Sequence, residues 1–203
     1  MSEVETSFEA IKETLKRCTQ ALEDARIEFM VGGSLAAWAR GGPETRNDLD
    51  LMLRPRDADR ALEVLEAAGM RPERPPEQWL YKAWDGDVLV DLIFELLEVE
   101  HEGSPAERRP IDDVLFDRTD DLRMFGVVVP VMSLEDLLVT KLLALEPHSL
   151  DYESTLAIAR SLREEVDWDE VRRLTGDSPY AKAFFTLLAE LGIIEDGIPG
   201  SAS

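Results

Sequence analysis

Cysteine is almost missing from this chain of 203 residues, which has one, Cys18. A lone thiol excludes an internal disulfide framework. It falls in the apolar series Phe8, Ile11, Leu15, Cys18 and Leu22, so a buried place on a helix is expected of it and not a nucleophile's role. Histidine is nearly as scarce: His101 and His148 lie far apart, with no spacing that suggests zinc. No apolar run reaches the length of a membrane span. The opening "MSEVETSFEAIKETLK" is acidic and amphipathic and has none of the hydrophobic stretch of a signal peptide. These absences point to a cytoplasmic protein. Basic residues are also few, 22 against 43 acidic ones, for a formal charge of −21. That argues against broad, non-specific nucleic-acid binding, which rests on phosphate neutralisation. A local basic patch stays open, although Arg54, Arg56, Arg60, Arg71, Arg74, Arg108 and Arg109 are each diluted by acids. The acidic surface suits a cationic ligand or a basic protein partner, or serves solubility alone.

Apolar residues make up 44% of the chain, enough for a real core. Residues 5–25 read as an amphipathic helix. "RIEFMVGG" reads as a short strand ending at glycines, and "SLAAWAR" as a helix with Ser34 at its N-cap. "DLDLMLRP" reads as a strand that stops at Pro55, and "DADRALEVLEAAG" as a helix closed by Gly69. "RPERPPEQ" reads as a loop or irregular edge. "WLYKAWDGDVLVDLIFEL" reads as a hairpin turning at Asp85-Gly86. Residues 99–121 read as polar and irregular, with room for short helical pieces, and "LRMFGVVVPVM" as one more apolar strand. From Ser133 the pattern becomes helical: "SLEDLLVTKLLALE" opens on a Ser133–Asp136 capping box and three further helices follow. The expected fold class is α/β (α+β), a mixed sheet flanked by helices. The expected domains are residues 1–132 and a helical 133–196, with 197–203 a flexible tail.

Two features stand out against this layout. Asp48 and Asp50 share one face of a strand, while Leu49 and Leu51 take the other face, toward the core. Close carboxylates repel and raise each other's pKa unless a cation lies between them. Hard divalent ions such as magnesium favour such oxygens. A solvated strand end would account for the pair as well. Asp91, in "DVLVDLIFEL", sits on a strand that is apolar on both faces and therefore buried. A charge there is costly unless it is paired or binds metal. An arginine partner or a strand-end position is the alternative. Together the three aspartates fit two divalent ions clamping the phosphates and the attacking oxygen of an in-line displacement. Gly32-Gly33-Ser34, after the first strand, allows close backbone approach to a phosphate, with the Ser34 hydroxyl in reach, or is an ordinary turn.

Gly33-Ser34, thirteen intervening residues and then Asp48-Leu49-Asp50-Leu51, with Asp91 on a later strand, resembles the signature of the DNA polymerase beta-like nucleotidyltransferase superfamily. "RNDLDLML" and "VPVMSLEDLLVTKLLALE" are similar to small bacterial members: minimal, antibiotic and toxin–antitoxin nucleotidyltransferases. The signature spans roughly residues 27–95. The resemblance implies a nucleoside triphosphate held on Gly33, Ser34 and two Mg2+ ions. It gives Asp48 and Asp50 as metal ligands, and Asp91 as a metal ligand that helps deprotonate an acceptor hydroxyl. A nucleoside monophosphate passes to the acceptor and pyrophosphate leaves. The acceptor stays open among a small cationic molecule such as an aminoglycoside, a tRNA end and a protein side chain. Lys141, on the apolar stripe of its helix, is similar to a lysine that reaches the triphosphate in related enzymes; snorkelling at the stripe's edge is the ordinary alternative. Arg46 could meet a phosphate or the carboxylates. Asp151 resembles an acidic position of toxin-type members, or is an N-cap. One of Trp79, Tyr81 or Trp84 could stack on a base, though nothing selects it. The other function kept in view is a non-catalytic binding module of the same fold, such as a toxin–antitoxin component.

Overall fold

The computed structural model describes residues 8–43, 48–100 and 104–195. Arg46, His101 and the 197–203 tail lie outside these residues. The chain begins with α1 (Phe8–Asp24), β1 (Phe29–Val31), α2 (Gly33–Ala39) and β2 (Leu49–Leu53). It continues with α3 (Ala58–Ala67), β3 (Arg71–Glu73), β4 (Leu80–Asp85) and β5 (Val88–Ile93). Then come β6 (Glu95–Val99), β7 (Ala106–Pro110), α4 (Asp113–Phe116), β8 (Asp120–Met124) and β9 (Val127–Val131). The last stretch is α5 (Leu134–Leu143), α6 (Glu153–Leu162), α7 (Trp168–Thr175) and α8 (Pro179–Glu190).

Seven strands form one mixed sheet in the order β3-β4-β5-β2-β1-β9-β8. The pairs β2–β5 and β1–β9 are parallel and the others antiparallel. β6 and β7 form a separate two-stranded ladder. The central strands are apolar on the covered face, as period-2 alternation requires: Leu49, Leu51, Val90 and Leu92 are completely buried. Each leucine of that kind contributes about 1.5–3 kcal/mol relative to exposure. The face of α1 expected to be buried is buried, Ile11, Leu15, Cys18 and Leu22 all being inaccessible. Burial pushes the Cys18 thiol pKa far up, which keeps it protonated and inert. α5 packs on α2, β6, α7 and α8, so the helical half is joined to the sheet. No helix among the described residues is long and apolar enough to cross a membrane.

Several local readings change. "LRMFGVVVPVM" is two strands, because Phe125 and Gly126 take positive φ (50° and 93°) and turn the chain between β8 and β9. Hydrophobicity hid that turn: Phe125 stacks on Trp38 at 4.9 Å and meets Phe8 edge-on, so packing holds it there. Residues 99–121, read as irregular, include β7, whose polar residues pair with β6. Of the two readings of "RPERPPEQ", loop or irregular edge, Arg71–Glu73 takes the edge, as a regular strand paired with β4. The β4–β5 loop residues are Gly86 and Asp87, since Asp85 pairs with Val88. Ser34 is not an N-cap: α2 starts at Gly33, and Gly32 occupies the cap position with no side-chain cap bond. The Ser133 cap is present, its Oγ accepting from the Asp136 N–H at 3.1 Å and donating to Oδ2 at 2.7 Å.

Candidate active site

β2 and β5 run parallel with Asp50 opposite Asp91, so two carboxylates stand on neighbouring strands at one level. Asp48 precedes β2 by one residue and is exposed. On the far side of β2, the Gly32 N–H donates to the Asp50 carbonyl at 3.0 Å. Gly33 then takes φ +57°, a conformation open to glycine at little cost. A Cβ on Gly33 would land on the Asp50 carboxylate, 2.7 Å from its Cγ. Backbone and carboxylate are thus packed against each other with no room for a side chain. A Cβ on Gly32 would meet the Met52 side chain, overlapping its terminal methyl and lying 3.2 Å from its Cγ.

The electrostatics follow from crowding. Burial, then the charge of Asp91, pushes the Asp50 pKa up to about 7, while the Lys141 ammonium pulls the other way. Burial pushes Asp91 to about 6; Lys82 opposes it, and Asp48 and Glu73 add to it. Asp48 is raised by desolvation and eased by Lys82. Lys141 projects from α5 with its pKa lowered by burial and supported by Asp50 and Asp151. Asp151 accepts from the Glu153 N–H at 2.8 Å, but it is not the N-cap: Tyr152 occupies that position, with no side-chain cap bond.

Two site neighbours escaped the sequence reading. Lys82 lies opposite Asp91 across β4–β5, with Nζ 4.0 Å from Oδ1. Glu73 lies opposite Lys82 across β3–β4. The hairpin could have revealed Lys82, because pairing Asp85 with Val88 and counting three residues along each strand reaches Lys82 and Asp91. Placing the turn at Asp85-Gly86 slips that register and sets Leu80 against Asp91 instead. The candidate base-stacking rings are engaged elsewhere. Arg108 lies over Trp79 at 3.9 Å, Tyr81 faces Phe94, and the Trp84 Nε1–H donates to Glu73 at 2.9 Å.

The donor set suits a hard divalent cation in a particular way. Among the described residues, no three His, Cys, Asp or Glu side chains form a ready-made metal cage. Yet Asp91 Oδ1 is buried and lacks any hydrogen-bond partner, which is costly for an ionisable oxygen. Magnesium characteristically takes one or two protein carboxylates and completes its shell with water and substrate phosphates. Asp50 and Asp91, with Asp48 beside them, fit that pattern.

No curated relative matches the sequence. The fold is similar to that of ANT(2")-Ia, solved in complex with adenylyl-2"-tobramycin, with a TM-score of 0.61, 14% identity and 85% of this chain covering 97% of that one. The solution structure of ANT(2'')-Ia, an antibiotic-resistance factor, matches with a TM-score of 0.61 and 16% identity over 92% of this chain and 97% of that one. Lincomycin-bound LnuA, a lincosamide antibiotic adenylyltransferase, matches with a TM-score of 0.53 and 14% identity over 76% of this chain and 98% of that one. A family model described as "Uncharacterised nucleotidyltransferase" matches residues 4–194, nearly the whole chain. With that match spanning both the carboxylate-bearing sheet and the helices behind it, the chain belongs to this nucleotidyltransferase family.

Proposed function

We propose that this protein is a divalent-metal-dependent nucleotidyltransferase that moves a nucleoside monophosphate from a nucleoside triphosphate to a hydroxyl acceptor. The observation that carries this is the packing of Gly33 against Asp50 beside Asp91, whose inner oxygen has no partner. Asp48, Asp50 and Asp91 would hold Mg2+, as one or two ions. When bound, the metal neutralises the carboxylates and phosphates and makes an acceptor hydroxyl more acidic. The Gly32 N–H is held by the Asp50 carbonyl, and Gly33 and Ser34 would present backbone N–H groups and the Ser34 hydroxyl to the triphosphate. Lys141 offers its ammonium from the Asp50 side, where it already faces that carboxylate. Asp91 takes the acceptor proton. The acceptor oxygen bonds to the α-phosphorus, the bond from that phosphorus to the β-phosphate oxygen breaks, and pyrophosphate leaves.

The reading is tested by melting the protein with ATP, GTP, CTP and UTP, each with and without Mg2+. Wild type is compared with the Asp48→Asn, Asp50→Asn double variant. A ligand that binds only the native state raises the melting point. A Mg2+-dependent rise in wild type, absent in the double variant, is expected, and it names the base. No rise with any nucleotide refutes the transferase reading. A rise without pyrophosphate release across hydroxyl acceptors of cationic, RNA and protein type favours the non-catalytic binding module.

A further inference from the structure

The cradle carries its own cations. Lys141 faces Asp50 from α5, and Lys82 faces Asp91 and Asp48 from β4. Lys82 is not locked in place. Its Nζ is 4.0 Å from Asp91 Oδ1, beyond hydrogen-bond range, and that oxygen stays unsatisfied. Its side chain retains 28% exposure against 16% for Asp91. Across the next strand lies a second carboxylate at the same level, Glu73, which accepts from Trp84 and lies 3.5 Å from Arg71. A flexible ammonium thus stands between an inner and an outer carboxylate, and its four-carbon stem needs only rotamer changes to move between them.

We infer that Lys82 is a positioning residue, resident beside Asp91 and Asp48 in the ligand-free protein and displaced toward Glu73 when a divalent cation takes those carboxylates. The inference rests on the metal-binding reading above. It assigns Lys82 two effects. Its charge keeps Asp91 compatible with Asp50 and Asp48 before the metal arrives. The same charge competes with the metal, so that capture of the ion depends on the extra ligands that a triphosphate brings. Glu73 is the receiving site that makes the exchange cheap.

The test is Mn2+ binding to the nucleotide-free, full-length protein, followed by the electron paramagnetic resonance signal of the free ion and by calorimetry. The ammonium stands 4.0 Å from Asp91 Oδ1, and the ion must displace that attraction between two unit charges, so its removal in Lys82→Met should tighten binding about fivefold in a water-like medium. Lys82→Arg, which keeps the charge, should stay close to wild type. Glu73→Gln should weaken Mn2+ binding in wild type and do so less in Lys82→Met, because the receiving site matters only while there is an ammonium to receive. Melting in chelator checks that each variant is folded. Unchanged or weaker binding in a folded Lys82→Met, or strictly additive Lys82 and Glu73 effects, overturns the inference and leaves the metal site standing. Binding that survives Asp91→Asn together with Asp50→Asn, or no binding in both wild type and Lys82→Met, overturns the metal reading and the inference with it.

Discussion

At the scale of single residues, Gly33 and Asp50 constrain each other most directly. Gly33→Ala adds a methyl where the Asp50 carboxylate sits and imposes φ +57° on a residue that avoids it. Both effects act together, so a stability loss of about 1–3 kcal/mol is expected in urea unfolding. The Mg2+-dependent nucleotide shift should vanish with it. Asp50 itself makes stability pH-dependent. Its folded pKa, about 7, lies above the ordinary 3.8. A carboxyl raised on folding contributes stability in its protonated form, below the unfolded pKa. That contribution is lost as pH rises through the folded value. Asp50→Asn removes this loss. Measured without divalent cations, its melting point relative to wild type should climb from about pH 4 to about pH 7 and level off above. A flat difference across that range would show that Asp50 is not raised.

At the scale of elements, the β8–β9 turn sets two effects against each other. Phe125 at φ 50° is strained, and asparagine tolerates that region better, for a relief of about 1 kcal/mol. The ring also stacks on Trp38 and meets Phe8, contacts worth about 0.5–1.5 kcal/mol each beyond buried area. Packing outweighs strain, so Phe125→Asn should destabilise the protein by about 1 kcal/mol in chemical denaturation. A more stable variant would reverse that balance. This element also marks where sequence reading fails. Phe-Gly between valines and a methionine carries no polar turn signal, and the alternation runs through it, so only packing against α1 and α2 shows why the chain turns there. The Asp-Gly hairpin is the converse case. The turn is easy to read, yet a slip of one residue in its loop conceals Lys82 behind Asp91.

At the scale of the molecule, a charge of −21 on 203 residues means self-repulsion in the folded state. Salt screens it, with a Debye length of about 30 Å at 0.01 M and 10 Å at 0.1 M. Raising KCl across that range, with chelator present, should raise the melting point by about 2–4 °C. No rise would mean that local pairs already absorb the charge. Arg54 is one such pair-former, buried with its guanidinium against Glu28 and Asp113 and over the Phe116 ring at 3.9 Å. It ties the end of β2 to α4, and so fixes the strand that carries the candidate site.

The sequence by itself determined the helix faces, the alternation of β2 and the Ser133 cap. These depend on period and residue type, which are local. The tertiary structure alone decided the parallel pairing of β2 with β5, which sets Asp50 level with Asp91. It also decided the fit of Gly33 on Asp50, the approach of Lys141 from α5 and the presence of Lys82 and Glu73 on the same face. Those are contacts between strands and helices far apart in the chain. Their register is set by side-chain packing across the sheet, which a one-dimensional pattern does not encode.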